Sequence, residues 1–156
     1  MVHAFRMSTL LVPLDTSDIS GKVLAQAEKL GRQLGAGIAL FHVVEPIATY
    51  VPVGTSMDAI STSPPLIDIE EQTGLAKSRL EKLAEPLRAS GLEVTCEAVL
   101  GIAVEEIVEQ AGLLAADYIV VGSHGHGALY HMFSGSVVTG VLKHSPCPVV
   151  VVPVRS

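Results

Sequence analysis

The stretch from Gly122 to Ser136 reads GSHGHGALYHMFSGS, with glycines at 122, 125, 127 and 135 and with Ser134 and Ser136 flanking the last of them. Glycine lets the backbone approach an anion closely, and the N–H groups and positive dipole end of a following helix attract that anion. Four glycines and two serines exceed what a plain turn into a helix needs, so the stretch outlines a phosphate cradle, with the plain turn as the alternative. Two better-known phosphate motifs do not fit. Gly135 to Gly140 has the G-x-x-x-x-G spacing, but Val141 stands where a P-loop has Lys. The dinucleotide fingerprint is absent after the first apolar run. His124, His126 and His131 share the loop, and imidazole is a common transition-metal ligand. No carboxylate or thiolate accompanies them, so they are read as hydrogen-bond donors rather than as a metal set. Asp15 offers a carboxylate that can accept from a sugar hydroxyl, or it is a turn acid beside Ser17. His42 reads as a packed, hydrogen-bonded core residue rather than a catalyst, and His144 as a helix C-terminal residue that complements the dipole.

The elements that must position these residues follow from apolar periodicity. Thr9 to Leu14, Ile38 to Val44, Val94 to Leu100, Tyr118 to Val121 and Val149 to Val152 are short, largely apolar runs with the character of strands buried in a parallel sheet. Between them, apolar residues recur at helical spacing. Ile19, Val23, Ala27, Leu30 and Leu34 form one helix, closed near Gly35 and Gly37. Leu66 to Ser90 forms another, with Pro86 a kink and Gly91 a stop. Val104, Ile107, Val108 and Ala111 mark a third, and a short helix covers Ser136 to Lys143. Strict strand–helix alternation specifies right-handed crossovers and an α/β, doubly wound open sheet with helices on both faces. In such sheets ligands bind beyond the carboxyl ends of the strands, which places Asp15, Val43 to Glu45, and Gly122 onward at the site. The residues from 46 to 65 have no period and read as a long loop, placed by position as a lid over that end.

Composition narrows the function. At 156 residues, with 49% hydrophobic and 17% charged residues, the chain is expected to form one domain, residues 1–156, with an aliphatic core. A net charge of −6 and only 10 scattered Lys and Arg argue against nucleic acid as a partner. No run is long enough for a membrane span, and two distant cysteines, Cys96 and Cys147, suggest neither a disulfide framework nor a zinc site. A cytoplasmic location is the expectation.

The residues also resemble a known family. Gly122, two residues, Gly125, nine residues, Gly135 and Ser136 match the pattern G-x2-G-x9-G-[ST] of the ATP-binding universal stress proteins. The first strand with Pro13 and Asp15, the strand end His42-Val43-Val44, and the closing Ser145 to Val152 extend the likeness along the chain. This resemblance implies sheet order 3-2-1-4-5, a Rossmann-like fold of the adenine nucleotide alpha hydrolase type, frequent homodimers and bound ATP. It implies that Pro13, Leu14 and Asp15 meet the nucleotide from the first strand, Asp15 near the ribose and adenine, and that Val43 meets the adenine through its backbone. Val121, Gly122, His124 and Gly125 are then on one side of the phosphates, with Gly135, Ser136 and Val137 closing the other.

One departure bears on the ligand. Relatives commonly carry Lys or Arg in the nine-residue spacer, whereas this chain has none between Gly125 and Gly135. Triphosphate charge must then be offset by Mg²⁺, histidine or backbone dipoles, and ADP or AMP are alternatives to ATP. The expected function is an adenine-nucleotide-binding stress or signalling protein, a nucleotide-dependent dimeric switch pairing through Val149 to Val152. No dedicated base is apparent, so weak ATPase activity is the most that is expected. A slow ATPase or phosphotransfer enzyme and a nucleotide-free interaction module are the alternatives.

Overall fold

The computed structural model describes residues 7–15, 20–46, 69–123 and 136–154. The elements follow in the order β1 (Thr9–Pro13), α1 (Ser20–Leu34), β2 (Gly37–Val44), α2 (Ile69–Ala89), β3 (Val94–Leu100), α3 (Ala103–Leu113), β4 (Tyr118–Gly122), α4 (Ser136–His144) and β5 (Val149–Val152). All five strands are parallel and stand in the order β3-β2-β1-β4-β5, the doubly wound arrangement that the alternation of periods required. Most of the 46–65 loop, and with it the suggested lid, falls outside the described residues.

Alternation along each strand sends side chains to two cores. On one face Leu10, Val12, Ile38, Leu40, Val94, Cys96 and Val120 meet Val23, Leu24 and Ala27 of α1 and Leu80, Ala84 and Leu87 of α2. On the other, Leu11, Ala39, Phe41, Ile119 and Val121 meet Ala103, Ile107 and Ala111 of α3 and Val137, Val138 and Val141 of α4. The helix ends follow the glycines. Gly35 after α1 has φ +60° and Gly91 after α2 has φ +90°, left-handed values that favour glycine at a helix stop. Pro86 lies inside α2, which runs on to Ala89. Its ring leaves the Lys82 carbonyl without the i+4 donor, while the Pro86 carbonyl still accepts from the Ser90 N–H at 3.1 Å. Strand β1 ends at Pro13 rather than Leu14, although the Leu14 amide still donates to the Phe41 carbonyl at 2.8 Å.

A tight contact joins the two helices on the Phe41 face. A Cβ placed on Gly140 of α4 would lie 2.7 Å from Val104 Cγ2 and 3.0 Å from Val104 Cγ1. Val104 is β-branched and short, so it cannot swing clear. Gly140→Ala is expected to cost about 1–3 kcal/mol through overpacking, despite the better helix propensity of Ala. Thermal unfolding measures it, and a variant as stable as the parent would contradict this α3–α4 packing.

The shifted titrations lie between α2 and β3. Burial pushes the Cys96 thiol up to about 11, with the Glu81 carboxylate adding to the effect. Arg88 hydrogen-bonds Glu81 at 2.6 Å and holds that carboxyl below its usual value. This pair is exposed and screened by solvent, so it contributes little to stability. A thiol so protonated is a poor nucleophile, and Cys96 serves as core.

Candidate functional site

The site is built where strand order reverses, between β1 and β4. Pairing there covers only Leu10 with Tyr118 and Leu11 with Ile119, whereas β1 pairs β2 from Thr9 to Pro13 and β4 pairs β5 from Ile119 to Gly122. The ladder between the two central strands therefore stops well short of their carboxyl ends. The next rung would need an N–H from Pro13, which proline lacks, and the reversal of strand order here is where a doubly wound sheet offers a crevice to ligands.

Of the residues expected around it, Asp15 lies half-buried just beyond β1, and Val43 is half-buried near the end of β2, packed against the α3/α4 core. Val121 is buried in the same core, Gly122 ends β4 half-buried, and Val137 of α4 is buried beside them. Val137 fills the core with its side chain, so only its amide, in the first turn of α4, is suited to an anion. Leu14 stands apart. Its side chain belongs to the opposite core, its N–H is bonded to Phe41 and its carbonyl accepts from His42 Nδ1 at 2.6 Å. Leu14 and the buried Pro13 thus shape the turn that carries Asp15. For Ser136 the structure gives the backbone, as the first residue of α4. His124, Gly125 and Gly135, with His126 and His131, lie outside the described residues.

Three further residues hold this rim together. Because a carbonyl only accepts, the contact with Leu14 fixes His42 Nδ1 as the donor, so His42 has the hydrogen-bonded role expected of it. Ser123 donates its N–H to the Val152 carbonyl at 2.9 Å and accepts from the Val154 N–H at 3.0 Å through Oγ, tying the end of β4 to the chain leaving β5. Glu45 Oε1 accepts from the Ala103 N–H at 3.2 Å, across the sheet end. His42 is half-buried rather than part of the core, and the sequence placed His42 and Glu45 near this rim but not their partners, since each contact joins segments that only the register brings together.

Charge is distributed unevenly over the two helices of this face. The first turn of α3 carries Glu105 and Glu106, and that of α4 carries no acid. Lys143 and His144 sit in the last turn of α4, where His144 was expected. Among the described residues no group of three His, Cys, Asp or Glu converges as a metal site, and no helix is long and apolar enough to cross a membrane. A larger open cavity of about 690 Å³ lies at the opposite end of the sheet, lined in part by Arg32, Arg88 and Glu93. Its arginines are engaged, Arg32 with Glu28 and Arg88 with Glu81 and the Val94 carbonyl. The strand ends remain the candidate site, because strand order reverses there.

Comparison with known proteins gives a consistent result. The family model described as the universal stress protein family matches residues 7–153. A universal stress protein of Methanocaldococcus jannaschii is 32% identical over 145 residues, which are 92% of this chain and 80% of that protein. One from Thermus aquaticus is 31% identical over 150 residues, covering 92% of this chain and 97% of its own. Among solved structures, a universal stress protein from Lactobacillus plantarum superposes with a TM-score of 0.70 at 23% identity, covering 94% of this chain and 98% of its own. Two more share the fold at 21% identity. One, a universal stress protein in complex with cAMP, has a TM-score of 0.64 and covers 95% of this chain and 98% of its own. The other, from Archaeoglobus fulgidus in complex with dAMP, has a TM-score of 0.56 and covers 94% and 98%. With the family match running over nearly the whole chain and the sheet order agreeing, this chain belongs to the universal stress protein family.

Proposed function

We propose that this protein binds an adenine nucleotide, ATP or its di- or monophosphate, in the crevice between β1 and β4. The carrying observation is the early stop of the β1–β4 ladder, with Asp15, Val43 and Gly122 around it and the acid-free amino end of α4 on the same face. A carboxylate at Asp15 suits the ribose hydroxyls, and the amides of an acid-free helix start suit phosphate oxygens. The motif from Gly122 to Ser136 supports the same placement, with His124, Gly125 and Gly135 supplying the close approach. Related folds solved with cAMP and with dAMP carry the same base. Mg²⁺ bound to the nucleotide's own phosphates would offset charge that no Lys or Arg in the spacer offsets.

Nucleotide occupancy then acts on assembly. Strand β5 closes the sheet order, Val151 on it is 38% exposed, and pairing of two such edges would cover it in a homodimer. Equilibrium titration with ATP, ADP and AMP, each with and without Mg²⁺, tests the reading. Saturable binding of at least one of them supports it, and none for all three would end it. Sedimentation with and without the bound nucleotide reports the switch.

A further inference from the structure

We propose that Glu45 is a positioning residue whose carboxylate caps α3 from across the sheet, and that it fixes the end of β2 meeting the adenine and the direction in which the nucleotide lies. The proposal rests on the nucleotide reading above and goes beyond it by assigning the role to a residue outside the glycine motif.

Helix α3 begins without a cap of its own. Its N-cap position is Ile102, which provides no side-chain hydrogen bond, and the first intrahelical bond near the start is Glu106 N–H to the Ile102 carbonyl at 3.0 Å. The amides at the start of a helix need partners from elsewhere. Glu45 supplies one, accepting from Ala103 N–H at 3.2 Å over 58 residues of chain. The adjacent Val44 carbonyl accepts from Gly101 N–H at 3.0 Å. The last residue of β2, Val44, and Glu45 just after it are therefore tied to the turn that opens α3. On the other flank His42 Nδ1–H holds the Leu14 carbonyl. Val43 lies between these two anchors, so its backbone is set before any ligand arrives, which lowers the ordering cost of binding.

Charge gives the second part. Glu45, Glu105 and Glu106 place three carboxylates about the amino end of α3, where anionic phosphate is repelled and the Ala103 N–H is already in use. The amino end of α4, on the same face of the sheet, has no acid in its first turn. The neutral base is thereby directed to the β2 side and the phosphates to the α4 side.

The test compares Glu45→Ala and Glu45→Gln with the parent in two measurements. Amide hydrogen exchange without ligand reads the cap, and calorimetric titration with adenosine and separately with inorganic tripolyphosphate reads the positioning. Glu45→Ala is expected to speed exchange at Ala103 and Gly101 by about fivefold or more and to weaken adenosine by about fivefold, the equivalent of a lost cap. Tripolyphosphate should bind no more weakly than to the parent, and Glu45→Gln, which keeps an acceptor oxygen, should restore most of both effects. Unchanged exchange at Ala103 and Gly101 would overturn the cap. Faster exchange with unchanged adenosine affinity would overturn the positioning role and leave Glu45 merely structural. A parent protein that binds ATP but no adenosine would overturn the positioning role alone, and one that binds none of ATP, ADP and AMP would overturn the nucleotide reading with it, while the cap is still judged by the ligand-free exchange.

Discussion

Asp15→Ala is expected to weaken ATP binding by about 10- to 100-fold, the range for losing hydrogen bonds to a charged acceptor. Asp15 follows a turn that is already fixed. Pro13 and Leu14 are buried, and both backbone polar groups of Leu14 are bonded to residues of β2. The carboxylate is thus carried on a rigid base at the rim of the crevice, and its removal leaves the two cores untouched. The melting temperature should change by less than about 3 °C, as for a residue outside the packed interior. Asp15→Asn keeps one acceptor oxygen and should lose less affinity than the alanine variant. Calorimetric titration with ATP measures both, and parental affinity in Asp15→Ala would remove Asp15 from the site.

Phe41→Ala carries the largest stability effect expected. Phe41 is 1% exposed and heads the fully buried side chains by volume, on the face where α3 and α4 cover the sheet. Among the described residues the cluster's other buried members are Leu, Ile, Val and Ala, none of which fills the volume of a ring. The cost should be about 3–5 kcal/mol, typical of Phe to Ala in a core. For a protein of this size that is a drop of roughly 6–20 °C in melting temperature. Phe41→Leu, which conserves more volume, should lose much less. Because the Leu14 amide is bonded to the Phe41 carbonyl, loosening here also reaches the turn before Asp15. A drop below about 3 °C in Phe41→Ala would contradict the packing described for this face.

Much of the fold was legible because the two periods are strong here. The apolar runs at Thr9, Ile38, Val94, Tyr118 and Val149 each became a strand, within a residue of the expected bounds, and Val94–Leu100 and Val149–Val152 match them fully. The helix stops were legible in Gly35 and Gly91, whose φ values require what glycine supplies. The start of α3 was less so, since Ile102 is no cap and the carboxylate that replaces it comes from another strand. The same holds for Ser123 and for the His42 contact with Leu14. Local pattern reports which residues are apolar and at what spacing, but not which distant groups the parallel register brings within bonding distance. That Asp15, Val43 and Gly122 lie at the carboxyl ends of strands followed from the parallel strand–helix alternation, while Val121 and Val137 were named only through the family resemblance. The uneven charge of the two helix starts, by contrast, acquired meaning only once both were found on the same face.

The central claim is that the crevice holds an adenine nucleotide, and one measurement addresses it most directly. The protein is purified without added nucleotide and heat-denatured, and any small molecule released is identified by mass spectrometry, for the parent and for Gly125→Val and Gly135→Val. Near-equimolar ATP, ADP or AMP from the parent and its loss from both variants is the expected result, and it would also name the phosphates tolerated by a spacer without Lys or Arg. No released nucleotide, together with no binding of ATP and Mg²⁺ added afterwards, would contradict the claim and leave an interaction module on the same fold.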